Sequence, residues 1–286
     1  MKAETTSMSP FSAGISPADQ SVARQLTEAV SAAGALALDM NRAGIKSWAK
    51  DDSSPVTEAD LAVDGFLRDA LSAIAPGWGW LSEETADNAE RLSASRIWVV
   101  DPIDGTRGFM RGAPDWAVSA AVVENGRPVI AALFAPVTGE MFTALRGQGA
   151  RRNGVLLQAG TRDTLAGAIV AGPNDALDTL ERAAPITRVP RGHSLALRLA
   201  RVATGEVDIA LSRANSHDWD LAAADLLVQE AQGRLTTYDD VLIRYNQAVP
   251  RHASLVCAGS ALHGPARNAA CAAPSSVHAN PAKAEP

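Results

Sequence analysis

The stretch WVVDPIDGTRGF, Trp98–Phe109, joins an apolar run to two aspartates, Asp101 and Asp104. The apolar run predicts a buried strand, and Pro102 biases the residue before it toward an extended backbone. Strand residues of equal parity face the same way, so Asp101 and Ile103 are expected to point alike at the strand's end. This short peptide can therefore present two carboxylates and a main-chain carbonyl to one cation.

The residues that follow the strand suit an anion. Gly105 permits a sharp turn, and Thr106 is expected in the first turn of a short helix, where unpaired backbone N–H groups attract negative charge. Carboxylates beside a phosphate suit Mg²⁺, a hard ion that prefers oxygen ligands and often shares them with substrate phosphate. A plain turn is the alternative, because Asp-Pro and Asp-Gly are common turn-forming pairs.

Two further acidic segments favour the metal site. WLSEET places Glu83 and Glu84 directly after a short apolar run, and HDWDLAAADLL places Asp218 and Asp220 at the start of a helix. Each segment has a simpler explanation on its own: solvated loop charges for the first and a helix cap for the second.

The whole-chain composition is that of a folded, soluble protein. Of the 286 residues, 47% are hydrophobic and 20% are charged, which excludes a disordered chain. The formal net charge of −6 gives no attraction to a polyanion, so we expect no nucleic-acid polymer as a partner. The sequence shows neither a membrane-spanning apolar run nor a secretory leader, and Cys257 and Cys271 lack metal-finger spacing. We therefore expect a cytoplasmic protein with free thiols and no membrane association.

Two amphipathic helices are expected before the central stretch. Apolar residues at helical spacing follow Pro17, and Gly44 supplies a stop. A second helix is expected after Thr57, a good N-cap with Asp60 three residues later, and it should run to Pro76.

Beyond the central stretch the pattern becomes that of strands. WAVSAAVVENGRPVIAALFAP predicts a hairpin around Asn125 and Gly126, and an antiparallel meander continues through GEMFTALRGQGARRNGVLL. The second half alternates strands, in GAIVAG, VDIALS and ASLVCAG, with helices at 194–203 and 219–232. We expect alternating helix and sheet layers in one continuous unit.

Four segments resemble the signature motifs of the inositol monophosphatase superfamily of Mg²⁺-dependent, lithium-sensitive phosphatases. They are SPVTEAD (54–60), LSEE (81–84), DPIDGT (101–106) and WDLAAAD (219–225), and the resemblance covers roughly residues 20–262. LSEE, the WAVSAAVVENGRPVIAALFAPV run and the GRLTTYDD and IRYN segments are most similar to the 3'(2'),5'-bisphosphate nucleotidase branch. That branch removes the 3'-phosphate of 3'-phosphoadenosine 5'-phosphate, a reaction of sulfur metabolism.

The resemblance implies a fold of mixed α+β and α/β class, the layered α-β-α-β-α sandwich of inositol monophosphatases and fructose-1,6-bisphosphatases. It implies one phosphatase domain at 18–272, with an N-terminal α+β half to about residue 160 that carries the metal site and a C-terminal α/β half. The segments 1–17 and 273–286 are expected to be disordered. Relatives are often dimers, so the resemblance is compatible with a homodimer.

The resemblance also implies two or three Mg²⁺ ions per site. Glu83, Asp101 and the carbonyl oxygen of Ile103 would hold the first ion. Asp101 would be shared with a second ion, which Asp104 and Asp220 would also bind. Carboxylates packed around one cavity repel one another unless cations neutralise them, so we expect the site to assemble weakly without metal.

The implied chemistry is hydrolysis without a phosphoenzyme. A water molecule oriented by Glu83 and Thr106 would attack phosphorus in line. Asp60 would reach the Thr106 hydroxyl and strengthen it as an acceptor, although Asp60 also fits a simple charge at a helix start.

The substrate is expected to contact residues from several segments. These candidates are Gly105, Thr106, Ser194, Arg213 and Asp220. Arg213 stands where inositol-specific members have an acidic residue, and a guanidinium there suits a second phosphate; a strand end in solvent is the alternative. The segment RGHS, 191–194, borders the substrate in relatives, but His193 departs from the usual small residue. Lys50 matches a mobile basic loop near the active site of relatives, or is simply solvated.

Three functions remain open at this level. The first is hydrolysis of a small nucleoside bisphosphate. The second is the same chemistry on inositol monophosphate, histidinol phosphate or fructose 1,6-bisphosphate. The third is a catalytically silent metal-binding or regulatory module, against which the complete acidic set argues. His217 is expected to be a surface or supporting residue, since Mg²⁺ prefers oxygen, and Asp218 has no ligand role.

Overall fold

A computed structural model describes residues 16–44, 47–49 and 55–272. The helices in these ranges are α1 (Pro17–Ala43), α2 (Glu58–Ile74), α3 (Thr106–Met110), α4 (Asn174–Ala183), α5 (Leu195–Ala203), α6 (Asp218–Glu230), α7 (Ser260–Cys271) and a 3₁₀ helix (Ala89–Ser93). The strands are β1 (Ser47–Ala49), β2 (Pro55–Thr57), β3 (Gly79–Ser82), β4 (Arg96–Asp104), β5 (Ala117–Glu124), β6 (Arg127–Ala135), β7 (Glu140–Leu145), β8 (Ala150–Arg152), β9 (Val155–Leu156), β10 (Ile169–Ala171), β11 (Thr187–Arg188), β12 (Ile209–Ser212), β13 (Ser216–His217), β14 (Gly233–Thr237), β15 (Arg251–His252) and β16 (Leu255–Gly259). Lys50 and most of the two terminal segments expected to be disordered, 1–15 and 273–286, lie outside the described residues.

Two large sheets organise the protein. The first has the order β3-β4-β5-β6-β7-β8-β9, and every neighbouring pair except the parallel β3 and β4 is antiparallel. The second has the order β11-β10-β12-β16-β14 and is mixed. The short pairs β1-β2 and β13-β15 are separate antiparallel ribbons. The predicted meander is confirmed.

Helices cover both faces of the seven-stranded sheet. On β5, Val118 and Val122 pack with α1 and α2, whereas Ala121 and Val123 pack with α5 and α6. The opposite face of the α5–α6 layer contacts the five-stranded sheet, whose outer face is covered by α4 and α7. Each fully buried valine of this kind contributes about 1.5–3 kcal/mol. The expected five-layer α-β-α-β-α sandwich is confirmed.

Local signals account for most boundaries. Ser16 caps α1, Gly44 ends it, and Thr57 caps α2 in a capping box with Asp60. The hairpin turn lies where Asn125 and Gly126 have positive φ angles of 51° and 77°. Among the helices in the described ranges, none combines the length and the apolarity that a membrane span requires.

Asp225, a residue of α6, forms a buried pair with Tyr245. The Tyr245 hydroxyl donates a hydrogen bond to Asp225 Oδ2 at 2.9 Å. Burial raises the pKa of Asp225 from 3.8 to about 6. The folded state therefore keeps this proton to higher pH than the unfolded state, so the group's contribution to stability is present below pH 3.8 and lost as the pH rises through about 6.

Asp225→Asn removes this titration. As the pH rises from about 4.5 to about 7.5, the wild type is expected to lose about 2 kcal/mol of unfolding free energy relative to the variant. Urea unfolding at the two pH values measures it. A difference that does not change with pH contradicts the raised pKa.

Candidate active site

The central stretch forms the end of β4, and a bulge lies between its two aspartates. Asp101 pairs with Ser119 of β5 and Asp104 pairs with Ala117, so the register between the two strands shifts there. Such a bulge accommodates Pro102, which lacks the N–H that a regular ladder needs. Both aspartates are buried, with relative exposures of 1% and 5%.

Helix α6 adds a third carboxylate to this pair. One oxygen each of Asp101, Asp104 and Asp220 lie within 4.8 Å of one another. Asp220 is the third residue of α6, where its Oδ2 accepts a hydrogen bond from the His217 backbone N–H at 2.6 Å. The helix start thus orients the carboxylate toward the end of β4.

Glu83 approaches the cluster from the neighbouring strand. It directly follows β3, whose Ser82 is in register with Val100 of the parallel strand β4. The carboxyl ends of the two strands therefore meet at one edge of the sheet. The Glu83 charge contributes to the raised pKa values of Asp101 and Asp220, and its side chain lines a cleft with Gly105 and Thr106.

Burial and mutual repulsion dominate the electrostatics of the cluster. Burial, and then the charges of Glu83, Asp104 and other nearby acids, hold the pKa of Asp101 well above its usual range. Burial and the Asp104 charge do the same to the pKa of Asp220, although the His217 amide opposes them. A cation among these carboxylates would remove the repulsion.

Asp104 is the most hydrogen-bonded member. Burial raises its pKa, and the Ser194 hydroxyl, two amides and the Arg198 charge partly offset that effect. The Ser194 hydroxyl donates a hydrogen bond to Asp104 Oδ2, and the Ala196 amide donates to the same oxygen at 2.7 Å. The Leu195 amide donates to Oδ1 at 3.2 Å. Because Ser194 also caps α5, this carboxylate ties β4 to the start of α5.

Asp60 links α2 to the turn after β4. Its Oδ2 accepts hydrogen bonds from the Thr57 amide at 2.7 Å and the Thr57 hydroxyl at 2.6 Å. Its Oδ1 lies 3.4 Å from the Thr106 hydroxyl, which is also 3.2 Å from the carbonyl oxygen of Ile103. Thr106 begins α3 directly after Gly105, whose φ of 97° requires glycine.

This donor set fits Mg²⁺. All its side-chain donors are carboxylate oxygens, and the three clustered groups accumulate more negative charge than a buried site tolerates without a cation. Four of the expected ligands, Glu83, Asp101, Asp104 and Asp220, interact electrostatically with one another.

The sequence also singled out Arg213, Asp218 and His217, and each has a different environment in the structure. Arg213 has a side chain that is 60% exposed and forms an ion pair with Asp175 at 2.9 Å. Asp218 is fully buried and is bound by His252 Nε2 at 2.7 Å. The His217 ring stacks on Trp219 with the ring centroids 4.5 Å apart.

Two residues beside the site had escaped sequence reasoning. Asp115 accepts hydrogen bonds from the His193 amide at 2.6 Å and from His193 Nδ1 at 2.8 Å. Arg198 is 7% exposed, and its Nε donates to the Arg191 carbonyl at 2.8 Å. The unusual histidine at 193 was the only sequence signal for the first contact. Arg198, at an interior α5 position, resembled an ordinary surface residue.

Comparison with known proteins agrees with this geometry. The profile of the inositol monophosphatase family matches residues 18–278. The histidinol-phosphatase of Mycobacterium tuberculosis is 36% identical over 230 residues, covering 75% of this chain and 84% of that protein. The inositol-1-monophosphatase of Rhizobium meliloti is 32% identical over 194 residues, covering 64% and 72%.

The fold also matches a crystal structure. The extragenic suppressor protein SuhB from Bartonella henselae has a TM-score of 0.79 at 25% identity, covering 89% of this chain and 100% of that chain. Because the family profile spans most of the sequence, the chain belongs to the inositol monophosphatase family of phosphatases.

Proposed function

We propose that this protein is a Mg²⁺-dependent phosphoric monoester hydrolase that removes the 3'-phosphate of 3'-phosphoadenosine 5'-phosphate. The observation that supports hydrolysis most strongly is the convergence of Asp101, Asp104 and Asp220 to within 4.8 Å. Family membership supports the same reaction class. The motif LSEE and the strands that follow the central stretch favour the bisphosphate nucleotidase branch.

Asp101, Asp104, Asp220 and Glu83 would hold the metal, together with the carbonyl oxygen of Ile103. When bound, Mg²⁺ would supply Lewis-acid polarisation of the ester phosphate and lower the pKa of a water molecule. The protein's own residues would hold the ligands in place: Asp104 through the amides of α5, and Asp220 through the start of α6.

Thr106 and Glu83 would orient the attacking water. The Thr106 hydroxyl has one proton, which Asp60 or the Ile103 carbonyl can accept, and this leaves an oxygen lone pair for a hydrogen bond from water. Glu83 would accept the proton that the water releases. Gly105 and Ser194 would contact the phosphate, and Arg213 would contact the part of the substrate that does not react.

Histidinol phosphate is the second candidate substrate, because the relative at 36% identity is a histidinol-phosphatase. The two substrates differ in charge away from the scissile ester. Histidinol carries an amine and an imidazole, whereas the nucleotide carries a second phosphate. The charge around the cleft therefore separates these candidates.

A phosphate-release panel tests the proposal. Purified protein with Mg²⁺ is given 3'-phosphoadenosine 5'-phosphate, inositol 1-phosphate, histidinol phosphate and fructose 1,6-bisphosphate, each with and without Li⁺. We expect the highest kcat/KM for the nucleoside bisphosphate, with inhibition by Li⁺. A higher kcat/KM for histidinol phosphate would replace the first candidate with the second, and no release with any substrate would refute hydrolysis.

A further inference from the structure

The cleft beside the acidic cluster has a basic wall. This cleft encloses about 270 Å³, and Glu83 and Thr106 line its acidic end. Three arginines also line it, Arg107, Arg111 and Arg191. None of these three guanidinium groups has a hydrogen-bond or ion-pair partner within the described residues, 16–44, 47–49 and 55–272. Three cations that have no partner in the described part of the chain therefore border the place where a phosphate ester would react.

The two segments that carry these arginines are in direct contact. A Cβ atom on Gly108 would lie 3.0 Å from the His193 side chain, and one on Gly105 would lie 3.0 Å from the Ser194 amide. Glycine at both positions lets the 191–194 segment approach α3 this closely without displacing a neighbouring atom. The close approach brings Arg191 to the same cleft as Arg107 of α3 and Arg111, which directly follows α3.

The main chain beneath this basic wall is fixed at several points. The buried Arg198 donates to the carbonyl of Arg191 at 2.8 Å, and Asn41 Nδ2 donates to the carbonyl of Phe109 at 2.7 Å. Asp115 accepts from the amide of His193 and from its Nδ1 atom, which leaves Nε2 as the available ring nitrogen. The backbone is therefore held while the guanidinium groups stay available to a ligand.

Several arginines elsewhere in the described residues do have carboxylate partners. Arg96 binds both Asp19 and Glu124, and Arg188 binds both Asp178 and Glu181. In contrast to these two, the three arginines of the cleft have no carboxylate partner among the described residues. Like charges without counter-charges repel one another, and a bound anion would relieve that repulsion.

We infer that Arg107, Arg111 and Arg191, with His193 beside them, form a subsite for a second, non-reacting phosphate of the substrate. A guanidinium presents paired N–H donors that match phosphate oxygens. This inference rests on the proposed function and specifies where the remaining phosphate of a nucleoside bisphosphate binds. Positive charge at this wall disfavours histidinol, which is cationic, and offers no counter-charge to the hydroxyls of inositol.

The subsite differs from the contact expected at Arg213. That guanidinium already binds Asp175 at 2.9 Å, so a phosphate would have to compete with a carboxylate there. The arginines of the cleft have no such competitor among the described residues. We therefore expect them to supply more of the preference for a second phosphate than Arg213 does.

The test compares two nucleotides that differ only in the second phosphate, 3'-phosphoadenosine 5'-phosphate and adenosine 3'-monophosphate. The kcat/KM of each is measured with Mg²⁺ for wild type, R107A, R111A, R191A, R213A and the control R68A. Arg68 is exposed on α2 and does not line the cleft. Thermal unfolding of each variant checks the fold.

We expect R107A, R111A and R191A each to lower kcat/KM for the bisphosphate by about 10-fold or more, the size of a lost charge-assisted hydrogen bond, with little change for the monophosphate. R213A should have a smaller effect, and R68A should match wild type. Equal losses on both nucleotides would show that the arginines contact the reacting phosphate and would overturn the subsite. An unchanged preference in all three variants would overturn it as well.

Failure of the proposed function has a different signature. In that case the wild type itself shows no preference for the bisphosphate over the monophosphate, before any arginine is changed. If the wild type prefers the bisphosphate and the arginine variants keep that preference, the proposed substrate stands and only the subsite is wrong.

Discussion

Asp104→Asn is expected to lower Mg²⁺-dependent phosphate release by more than about 100-fold, because residues that merely orient metal ligands typically give about 10- to 100-fold. The substitution removes one negative charge from the buried cluster and keeps the size of the side chain. The introduced carboxamide keeps one oxygen, which can replace the acceptor of either the Ala196 amide or the Leu195 amide but not of both. We expect α5 to remain capped because the Ser194 hydroxyl still accepts from the Leu197 amide. Phosphate release is measured over a range of Mg²⁺ concentrations.

A matched control separates charge loss at the site from charge loss in the core. Asp225→Asn makes the same substitution at a buried aspartate that binds Tyr245 and lies outside the acidic cluster. We expect this control to keep near wild-type turnover. If Asp104→Asn retains full turnover, Asp104 is not a metal ligand. If it unfolds, its thermal transition will reveal that.

The fold could be predicted where local chemistry dictates it. Thr57 and Asp60 form the expected capping box, and the turn at Asn125 and Gly126 gives the expected hairpin. The strand signal before Asp101 was correct, but the strand continues to Asp104 through a bulge. Sequence indicates the turn-forming residues there, whereas the pairing with β5 that extends the strand is a tertiary effect.

Two helices of the second half were missed for identifiable reasons. Helix α7 contains Gly264 and Pro265, residues that ordinarily interrupt a helix. Helix α4 is only ten residues long and buries only two leucines, Leu177 and Leu180, so it offers few apolar positions for a sequence pattern to detect. Packing of both helices on the five-stranded sheet outweighs these local preferences.

The acidic cluster could be anticipated only through family motifs. Asp104 and Asp220 are far apart in sequence, and each alone fits a turn or a helix cap. The structure brings them together because the α6 helix start lies against the end of β4. The contact between Asp115 and His193 has no motif at all, since it depends on how two loops meet.

The role of Asp101 leads to a prediction in which activity and stability change in opposite directions. Burial and neighbouring carboxylates raise its pKa, so the folded, metal-free protein retains a proton that the unfolded chain releases. A raised pKa in the folded state means that stability is lost as the pH rises from the unfolded value, about 3.9, through the folded value. The metal-free protein is thus destabilised by this carboxylate at neutral pH.

Asp101→Asn should therefore raise the urea midpoint of the metal-free protein at about pH 7.5, by an amount that shrinks toward about pH 4.5, while lowering phosphate release by more than about 100-fold. The oxygen of the new carboxamide can still accept the hydrogen bond that the Ile103 amide donates to Asp101 at 3.0 Å. Wild type should gain about 2.7 kcal/mol at a Mg²⁺ concentration 100 times its Kd, and the variant much less. Unfolding with EDTA and with Mg²⁺ measures both effects. Two outcomes would contradict the prediction: a variant that is less stable than wild type without metal, or one that gains as much stability from Mg²⁺. Either would show that Asp101 stabilises the fold and does not bind the cation. The reason is that a buried carboxylate destabilises the metal-free site only when it lacks a counter-charge.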